Sequence, residues 1–263
     1  MNANEILDAA IEEHNPSHIF ALFSGGDDSI CSAHIAAQHP RFTACVLIDT
    51  GIAIELTHAH VKQVCLFHRW PLLIYETSYS YDEQVLAHGF PGPSQHGYMY
   101  NLLKKDAVRK LVREHKTKPD DRILLVTGMR RQESRQRMQA GREPNLRIGS
   151  QVWACPMWDW SREERDAYQD KYHLEHNPVK QKMHISGDCL CGAFRQKGDL
   201  EIMRIFFPVE AARIEALQAK VMERFPWGWD ESAPNWFGQQ KAGQQFLGDD
   251  FMPLCWSCQR NTP

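Results

Sequence analysis

Two serines, two glycines and an aspartate stand close together near the start of the chain. They are Ser24, Gly25, Gly26, Asp28 and Ser29, and they follow a short apolar run at residues 20–23. A strand that breaks at two glycines and continues as a helix brings free backbone N–H groups and the positive end of the helix to one point, which attracts phosphate. The glycines let phosphate oxygens approach the backbone, and the serine hydroxyls add donors. The ordered pattern favours a phosphate-binding loop over an ordinary tight turn.

Two acids are placed to act through a divalent cation. Asp28 lies inside the loop, and Asp49 ends a second apolar run at residues 42–49. In open α/β sheets, ligands bind at the carboxyl ends of the parallel strands, and this run predicts such a strand. Because Mg²⁺ neutralises phosphate charge, we expect Asp28 or Asp49 to lie near a Mg²⁺ ion and treat both as catalytic candidates.

A cluster of arginines follows a further apolar run, at residues 123–127. Gly128 opens this segment, and four arginines lie between positions 130 and 137. Arginine makes planar, forked contacts to phosphate or sulfate, so Arg130, Arg131 and Arg137 are candidate anion ligands. The alternative is a surface helix whose arginines pair with Glu133 and neighbouring acids.

Four of the eight cysteines form two close pairs. The pairs are Cys189 with Cys191, and Cys255 with Cys258. Four thiolates in two short motifs suit a tetrahedral Zn²⁺ ion or a [4Fe-4S] cluster, and their spacing does not separate the two. The alternative is a chance pairing of free thiols that bind no metal. The other four lie singly in apolar segments and are interpreted as core thiols: Cys31, Cys45, Cys65 and Cys155.

These residues need a scaffold, and the hydrophobic pattern predicts one. Five apolar runs predict strands, at residues 20–23, 42–49, 71–75, 123–127 and 152–156. Helical patterns separate or flank them, at residues 2–14, 30–38, 55–68 and 97–115, and Ser161 is predicted to cap a further helix. Strands that alternate with helices predict an α/β fold with a doubly wound, mostly parallel sheet. The tryptophans at 158 and 160, and the aromatic stretches at 225–229 and 234–237, are interpreted as packing residues.

Composition excludes several classes of protein. The chain has 263 residues, of which 43% are hydrophobic and 24% charged, as in a soluble globular protein. The formal net charge of −3 provides no basic field for membrane or nucleic acid, so we expect nucleic-acid contact only through a complex. The first fifteen residues carry four acids in a helical pattern, unlike a signal peptide, and no apolar run reaches the ~20 residues of a membrane span. A cytoplasmic location is expected.

The loop at Ser24–Ser29 resembles the pyrophosphate loop of the ATP pyrophosphatase superfamily (adenine nucleotide α-hydrolase-like, or PP-loop, proteins). Within it, the chain is similar to the phosphoadenosine phosphosulfate reductase family, whose pattern Gly-x-Arg-x-x-Glu-Ser-x-x-Arg falls on Gly128, Arg130, Glu133, Ser134 and Arg137. The family's Pro-x-x-Asp-Trp-Ser pattern begins at residue 156. Many members carry Lys or an apolar residue where this chain has Asp27.

The resemblance implies an adenine-nucleotide enzyme with two regions. Residues 1–185 would form the nucleotide-binding α/β domain, and residues 186–263 a cysteine- and tryptophan-rich metal-binding region. The implied reaction cleaves the α–β bond of ATP, with Mg²⁺, to adenylate a small-molecule or sulfur-carrying substrate, and a sulfur-donor protein is an expected partner. The alternatives are reductase-type thiol chemistry on phosphoadenosine phosphosulfate or adenylylsulfate, and a non-catalytic nucleotide-binding subunit. The resemblance favours [4Fe-4S] over zinc, and we expect a homo-oligomer.

Overall fold

The computed structural model describes residues 2–133, 143–231 and 233. Within these residues the strands form one sheet. They are β1 (His18–Leu22), β2 (Phe42–Asp49), β3 (Leu72–Glu76), β4 (Ile123–Val126), β5 (Asn145–Ile148) and β6 (Gln151–Ala154). Their order is β3-β2-β1-β4-β6-β5, and every neighbouring pair is parallel except β5 with β6. The predicted mostly parallel, doubly wound sheet is confirmed.

Helices cover both faces of this sheet. The α-helices are α1 (Ala3–His14), α2 (Asp27–Ala37), α3 (Glu55–Phe67), α4 (Tyr81–His88), α5 (His96–Tyr100), α6 (Asp106–His115), α7 (Arg162–Lys171), α8 (Asp199–Phe206) and α9 (Pro208–Met222). A π-helical segment, Asn101–Lys105, joins α5 to α6, so the long helix predicted at 97–115 is interrupted. None of the helices in the described residues is both long enough and apolar enough to span a membrane.

Alternating side chains of the central strands build two cores. Ile19 and Ala21 of β1 point into a cluster with α1, α2 and α3, whereas Phe20 and Leu22 point into a cluster with α6. The strand β4 divides its four apolar residues between the same two clusters. Because both faces are covered, every buried position of these two strands is apolar, as expected for a buried parallel sheet.

A third core lies in the helices and loops that follow the sheet. It joins α4, α8 and α9 to residues 179–193 and 225–229. The indole N–H of Trp229 donates to the Leu190 carbonyl at 2.9 Å, and that of Trp227 donates to the Phe90 carbonyl at 2.9 Å. The predicted packing role of these aromatics is confirmed for both tryptophans, while 234–237 lies outside the described residues. Residues on either side of the predicted boundary at 185/186 contribute to this core, and the division into two regions stays a prediction.

Two local features differ from the sequence prediction. The helix after the phosphate loop begins at Asp27, not at residue 30, so Asp28 and Ser29 belong to its first turn. The antiparallel strand β5 was not predicted, nor were α4, α8 and α9.

The Ser161 cap is confirmed, because its hydroxyl accepts the Glu164 N–H at 3.1 Å. The predicted packing role of Trp158 is confirmed as well, since its side chain is buried.

Candidate functional site

The loop between β1 and α2 has the geometry of an anion site. Gly25 has φ = +80°, a conformation that favours glycine, and Gly26 is the N-cap of α2. The Ser29 hydroxyl donates to the Gly26 carbonyl at 2.8 Å and accepts the Gly26 N–H at 3.0 Å. The Ser24 hydroxyl lies 3.3 Å from the Ser29 hydroxyl. The two serines are thereby gathered at the helix end, where the first N–H groups lack intrahelical partners.

Gly128 at the end of β4 brings a second chain segment against this loop. A Cβ atom at position 128 would lie 2.3 Å from the carbonyl oxygen of Asp28 and 2.8 Å from the Ser29 nitrogen. Only glycine allows so close an approach of the two backbones. Gly128, predicted as a ligand residue, therefore has a positioning role in addition to lining the site.

A cleft of about 700 Å³ opens beside the ends of β1 and β4. The order of strands reverses between these two strands, which is where open α/β sheets bind ligands. Five basic and five acidic side chains of the described residues line it, so their formal charges cancel. They are Lys104, Arg130, Arg162, Arg165 and Lys180, with Asp27, Asp28, Glu133, Glu163 and Asp188.

Asp28 is held by two guanidinium groups. Its Oδ1 lies 2.6 Å from Arg130 Nε and its Oδ2 lies 3.3 Å from Arg165 Nη1. Arg130 also reaches Glu133, with Nη2 3.4 Å from Oε1. Burial acts to lower the pKa of Arg165, but Asp28, Asp27 and Asp166 outweigh it and the pKa is raised. Arg165 was not among the predicted site residues.

Asp27, the loop residue between Gly26 and Asp28, lies among cations. Its Oδ2 is 2.6 Å from Lys180 Nζ and 3.6 Å from Arg165 Nη1, and its Oδ1 is 3.4 Å from His176 Nδ1. Burial acts to raise the pKa of Asp27, but Lys180, Arg165 and His176 together lower it below its ordinary value. The carboxylate is therefore ionised at neutral pH.

A buried ion pair closes another side of the cleft. Lys104 Nζ, in the π-helical segment, lies 2.5 Å from Asp188 Oδ2, and the Ser186 hydroxyl donates to Asp188 Oδ1 at 2.8 Å. Lys104 lines the cleft, whereas His96 and Tyr100 line a smaller cavity around the cysteines.

Two predicted residues lie elsewhere, and a third is outside the described residues. Asp49 accepts the Gly51 N–H at 2.8 Å and is not among the residues that line the cleft. Arg131 does not line it either, and its Nη1 is 3.9 Å from Asp159 Oδ1 on the surface. Arg137 lies outside the described residues. Of the predicted arginines, the structure brings Arg130 to the loop.

The first cysteine pair is buried beside the cleft. Cys189 and Cys191 line a small cavity of about 30 Å³, and hydrogen bonding with Cys191 together with burial raises the pKa of the Cys189 thiol. Lys104 lines both this cavity and the cleft, so the two are neighbours. Cys255 and Cys258 lie outside the described residues. The four single cysteines are buried, as predicted: Cys31, Cys45, Cys65 and Cys155.

Comparison with known proteins identifies relatives of this arrangement. The family model "Phosphoadenosine phosphosulfate reductase domain" matches residues 18–199. The phosphoadenosine 5'-phosphosulfate reductase of Photobacterium profundum is 25% identical over an alignment of 178 residues, and the match covers 64% of this chain. The chain spans 65% of that relative's length.

Solved structures extend the comparison to the fold. The phosphoadenylyl-sulfate reductase from Candida auris, in a phosphate complex, superposes with a TM-score of 0.50 at 16% identity over 69% of this chain and 84% of that one. An FMN adenylyltransferase from Candida glabrata, with FMN and an ATP analog, gives a TM-score of 0.48 at 10% identity over 68% of this chain and 60% of that one.

The family model covers most of the chain, including the loop after β1, Gly128 and Asp188. The family resemblance predicted from the loop and arginine motifs is thereby confirmed. This chain belongs to the phosphoadenosine phosphosulfate reductase family.

Proposed function

We propose that this chain binds ATP in the cleft and cleaves the bond between its α- and β-phosphates to adenylate an acceptor. An acceptor oxygen attacks the α-phosphorus, and pyrophosphate leaves with the bridging oxygen. The observation that carries the proposal is the loop at residues 24–29, which delivers β1 onto the N-terminus of α2 where the strand order reverses. N–H groups and the helix dipole favour the charge of a polyphosphate leaving group at that point.

The residues of the cleft have different roles in such a reaction. Ser24, Ser29 and the first turn of α2 hold the leaving pyrophosphate. Arg130, fixed by its 2.6 Å contact with Asp28, stabilises the charge that develops around the α-phosphate. Mg²⁺ bound with ATP would supply additional neutralisation of the phosphates, with Asp28 as the candidate carboxylate ligand.

Family membership favours an acceptor in sulfur metabolism. A small molecule or a sulfur-carrying substrate fits the proposal, and a sulfur-donor protein is the corresponding partner. The acceptor provides an oxygen nucleophile, such as a carboxylate, amide or sulfate oxygen, because the proposed product is an adenylate.

The family relatives support a second candidate function, thiol-dependent reduction of phosphoadenosine phosphosulfate or adenylylsulfate. Such a reaction needs an accessible thiolate. The described cysteines are all buried, and the pKa of Cys189 is raised. A nucleophile of this kind would therefore have to come from Cys255 or Cys258. A non-catalytic nucleotide-binding subunit remains the third candidate.

Product analysis of the purified chain separates these functions. With water taking the place of the acceptor, ATP with Mg²⁺ should yield AMP and pyrophosphate, and Ser29→Ala should abolish that turnover while the fold is retained. Sulfite released from phosphoadenosine phosphosulfate or adenylylsulfate in the presence of a dithiol would instead establish the reductase function. ATP binding without either product would establish the non-catalytic subunit and contradict the proposed adenylation.

The four paired cysteines are proposed to hold one metal centre. Two of the four donors, Cys189 and Cys191, lie in the described residues. They fit a metal centre because they are buried together and thiolates suit either [4Fe-4S] or Zn²⁺. Within the described residues there is no group of three or more His, Cys, Asp or Glu side chains that could hold a metal, so the remaining donors would be Cys255 and Cys258. Bound there, the centre would tie the two segments together and add its binding energy to folding.

Metal analysis of protein purified without oxygen tests this centre. We expect one cluster or one zinc ion per chain, lost in Cys189→Ser and retained in the control Cys155→Ser, whose thiol is single and buried. An unchanged metal content in Cys189→Ser, or no metal in the wild-type protein, would contradict the assignment.

A further inference from the structure

The cations that line the cleft are not equally able to meet a ligand. The side chain of Arg130 is 8% exposed and that of Arg165 is 3% exposed, and each contacts at least two carboxylates. Lys104 is buried against Asp188. Carboxylates anchor each of these three cations, so each can meet a ligand only from a fixed position.

Lys180 differs from these three cations. Its side chain lines the cleft and is 32% exposed. Asp27 accepts from its ammonium group at 2.6 Å, and no other partner for it is recorded among residues 2–133, 143–231 and 233. An ammonium group has three N–H donors, so two are left for a ligand. Asp27 is itself fixed, being 11% exposed and the first residue of α2.

We propose that Lys180 is a phosphate ligand of the cleft, supplying from a distant segment the positive charge that the loop itself lacks. This inference rests on the proposed binding of a nucleotide phosphate chain to the loop. Asp27 holds the ammonium beside the N-terminus of α2, so a phosphate bound there meets the helix end and Lys180 together.

A simpler role for Lys180 would be to neutralise Asp27. The two roles differ in what happens when Asp27 loses its charge. If Lys180 only offsets the carboxylate, it becomes dispensable for binding in the Asp27→Asn background. If Lys180 contacts phosphate, its removal weakens binding in that background too.

A double-mutant cycle on the full chain separates the roles. Calorimetry would measure the binding of Mg·ATP, inorganic pyrophosphate and adenosine to the wild-type protein, Asp27→Asn, Lys180→Met and the double variant. In the Asp27→Asn background, Lys180→Met should weaken ATP and pyrophosphate binding at least about five-fold, as for a lost charge-assisted contact, and leave adenosine binding unchanged. Lys180→Arg should retain most of the affinity. The matched control is Lys182→Met, which removes a nearby charge that stands over the Phe206 ring instead of lining the cleft.

The outcomes are distinguishable. Equal affinities of Asp27→Asn and the double variant for pyrophosphate would overturn the role of Lys180 and leave the proposed function standing. A wild-type protein that binds neither ATP nor pyrophosphate would overturn both. Thermal melting of each variant identifies any loss of affinity that arises from unfolding, and because the double variant removes both charges it leaves no unpaired ion behind.

Discussion

Arg130 and Arg131 are adjacent in the chain but lie in different surroundings. Arg130 contacts Asp28 in the cleft, whereas the side chain of Arg131 is 47% exposed and 3.9 Å from Asp159. Arg130→Ala should therefore weaken ATP binding by about 1.5–3 kcal/mol, as expected for a buried charge-assisted contact. Arg131→Ala is the matched control and should change affinity by less than about two-fold, with any effect lost in salt.

Calorimetric titration with Mg·ATP provides the comparison of the two arginine variants. Equal losses in both would show that the cluster acts as a diffuse positive surface. An unchanged affinity in Arg130→Ala would contradict the assignment of Arg130 to the reacting phosphates.

Gly128 gives a second prediction at the scale of one residue. An added methyl group would lie 2.3 Å from the carbonyl oxygen of Asp28, and backbone atoms cannot move aside as a flexible side chain can. Gly128→Ala should lower the free energy of unfolding by about 1–3 kcal/mol and weaken nucleotide binding, because β4 is pushed away from the loop.

Urea denaturation measures the stability change caused by Gly128→Ala. Gly97→Ala is the control, since Gly97 lies in α5 and nothing is within 4 Å of its added Cβ. That change should be neutral or stabilising by up to about 1 kcal/mol. If Gly128→Ala is as stable as Gly97→Ala, the close approach of the two backbones is not needed for folding.

At the scale of elements, the π-helical segment determines how one helix meets the site. π-helical turns are often found at functional sites. Here the segment Asn101–Lys105 sets the position of Lys104, which pairs with Asp188 at 2.5 Å in the loop that precedes the first cysteine pair. One ion pair therefore connects the helix, the cleft and the segment that carries Cys189.

Removing one member of this pair should be costly. Lys104→Met leaves the buried carboxylate of Asp188 without its cation, and such a change costs about 3–5 kcal/mol. The double variant Lys104→Met/Asp188→Asn removes both charges and should be more stable than Lys104→Met alone. Chemical denaturation of the wild-type protein, both single variants and the double variant measures the coupling. Additive losses would mean that the pair contributes no interaction energy.

Five of the six strands could be predicted because they appear in the sequence as apolar runs, and four of these five (β1, β2, β4 and β6) lie in the interior of the sheet. The strand β5 could not, since three of its four residues are exposed and its conformation depends on pairing with β6. The helices α8 and α9 were not predicted for a related reason. They pack in one core with residues 225–229, and the periodicity of their own sequence does not show that contact.

The loop of the candidate site was predictable and most of its charge partners were not. Ser24, Gly26 and Ser29 are close enough in sequence to form a recognisable pattern. Lys180 lies 153 positions from Asp27, and nothing in its local sequence marks it as a partner of that carboxylate. Spacing along the chain identifies groups that share one turn, whereas pairing across the cleft is decided by the sheet topology.

The charge of the whole molecule bears on how it captures a nucleotide. The chain has a formal net charge of −3, and the basic and acidic side chains lining its cleft are equal in number within the described residues. The described lining therefore carries no net charge that would attract a free polyanion over a long range, in contrast to a cleft lined by one sign of charge. Affinity for ATP has to come from short-range donors at the loop and from cations that arrive with the ligand.

This balance of charges in the cleft predicts that ATP binding depends strongly on Mg²⁺. Removing Mg²⁺ with a chelator should weaken ATP binding at least ten-fold, about 1.4 kcal/mol, because the metal-free phosphate chain meets five carboxylates as well as five cations. Adenosine carries no phosphate, and its binding should not change. Calorimetry with ATP and adenosine, each with and without Mg²⁺, gives the four affinities needed. Equal affinity for ATP in the two conditions would mean that protein donors alone neutralise the phosphates, and the charge balance of the cleft would then not govern nucleotide capture.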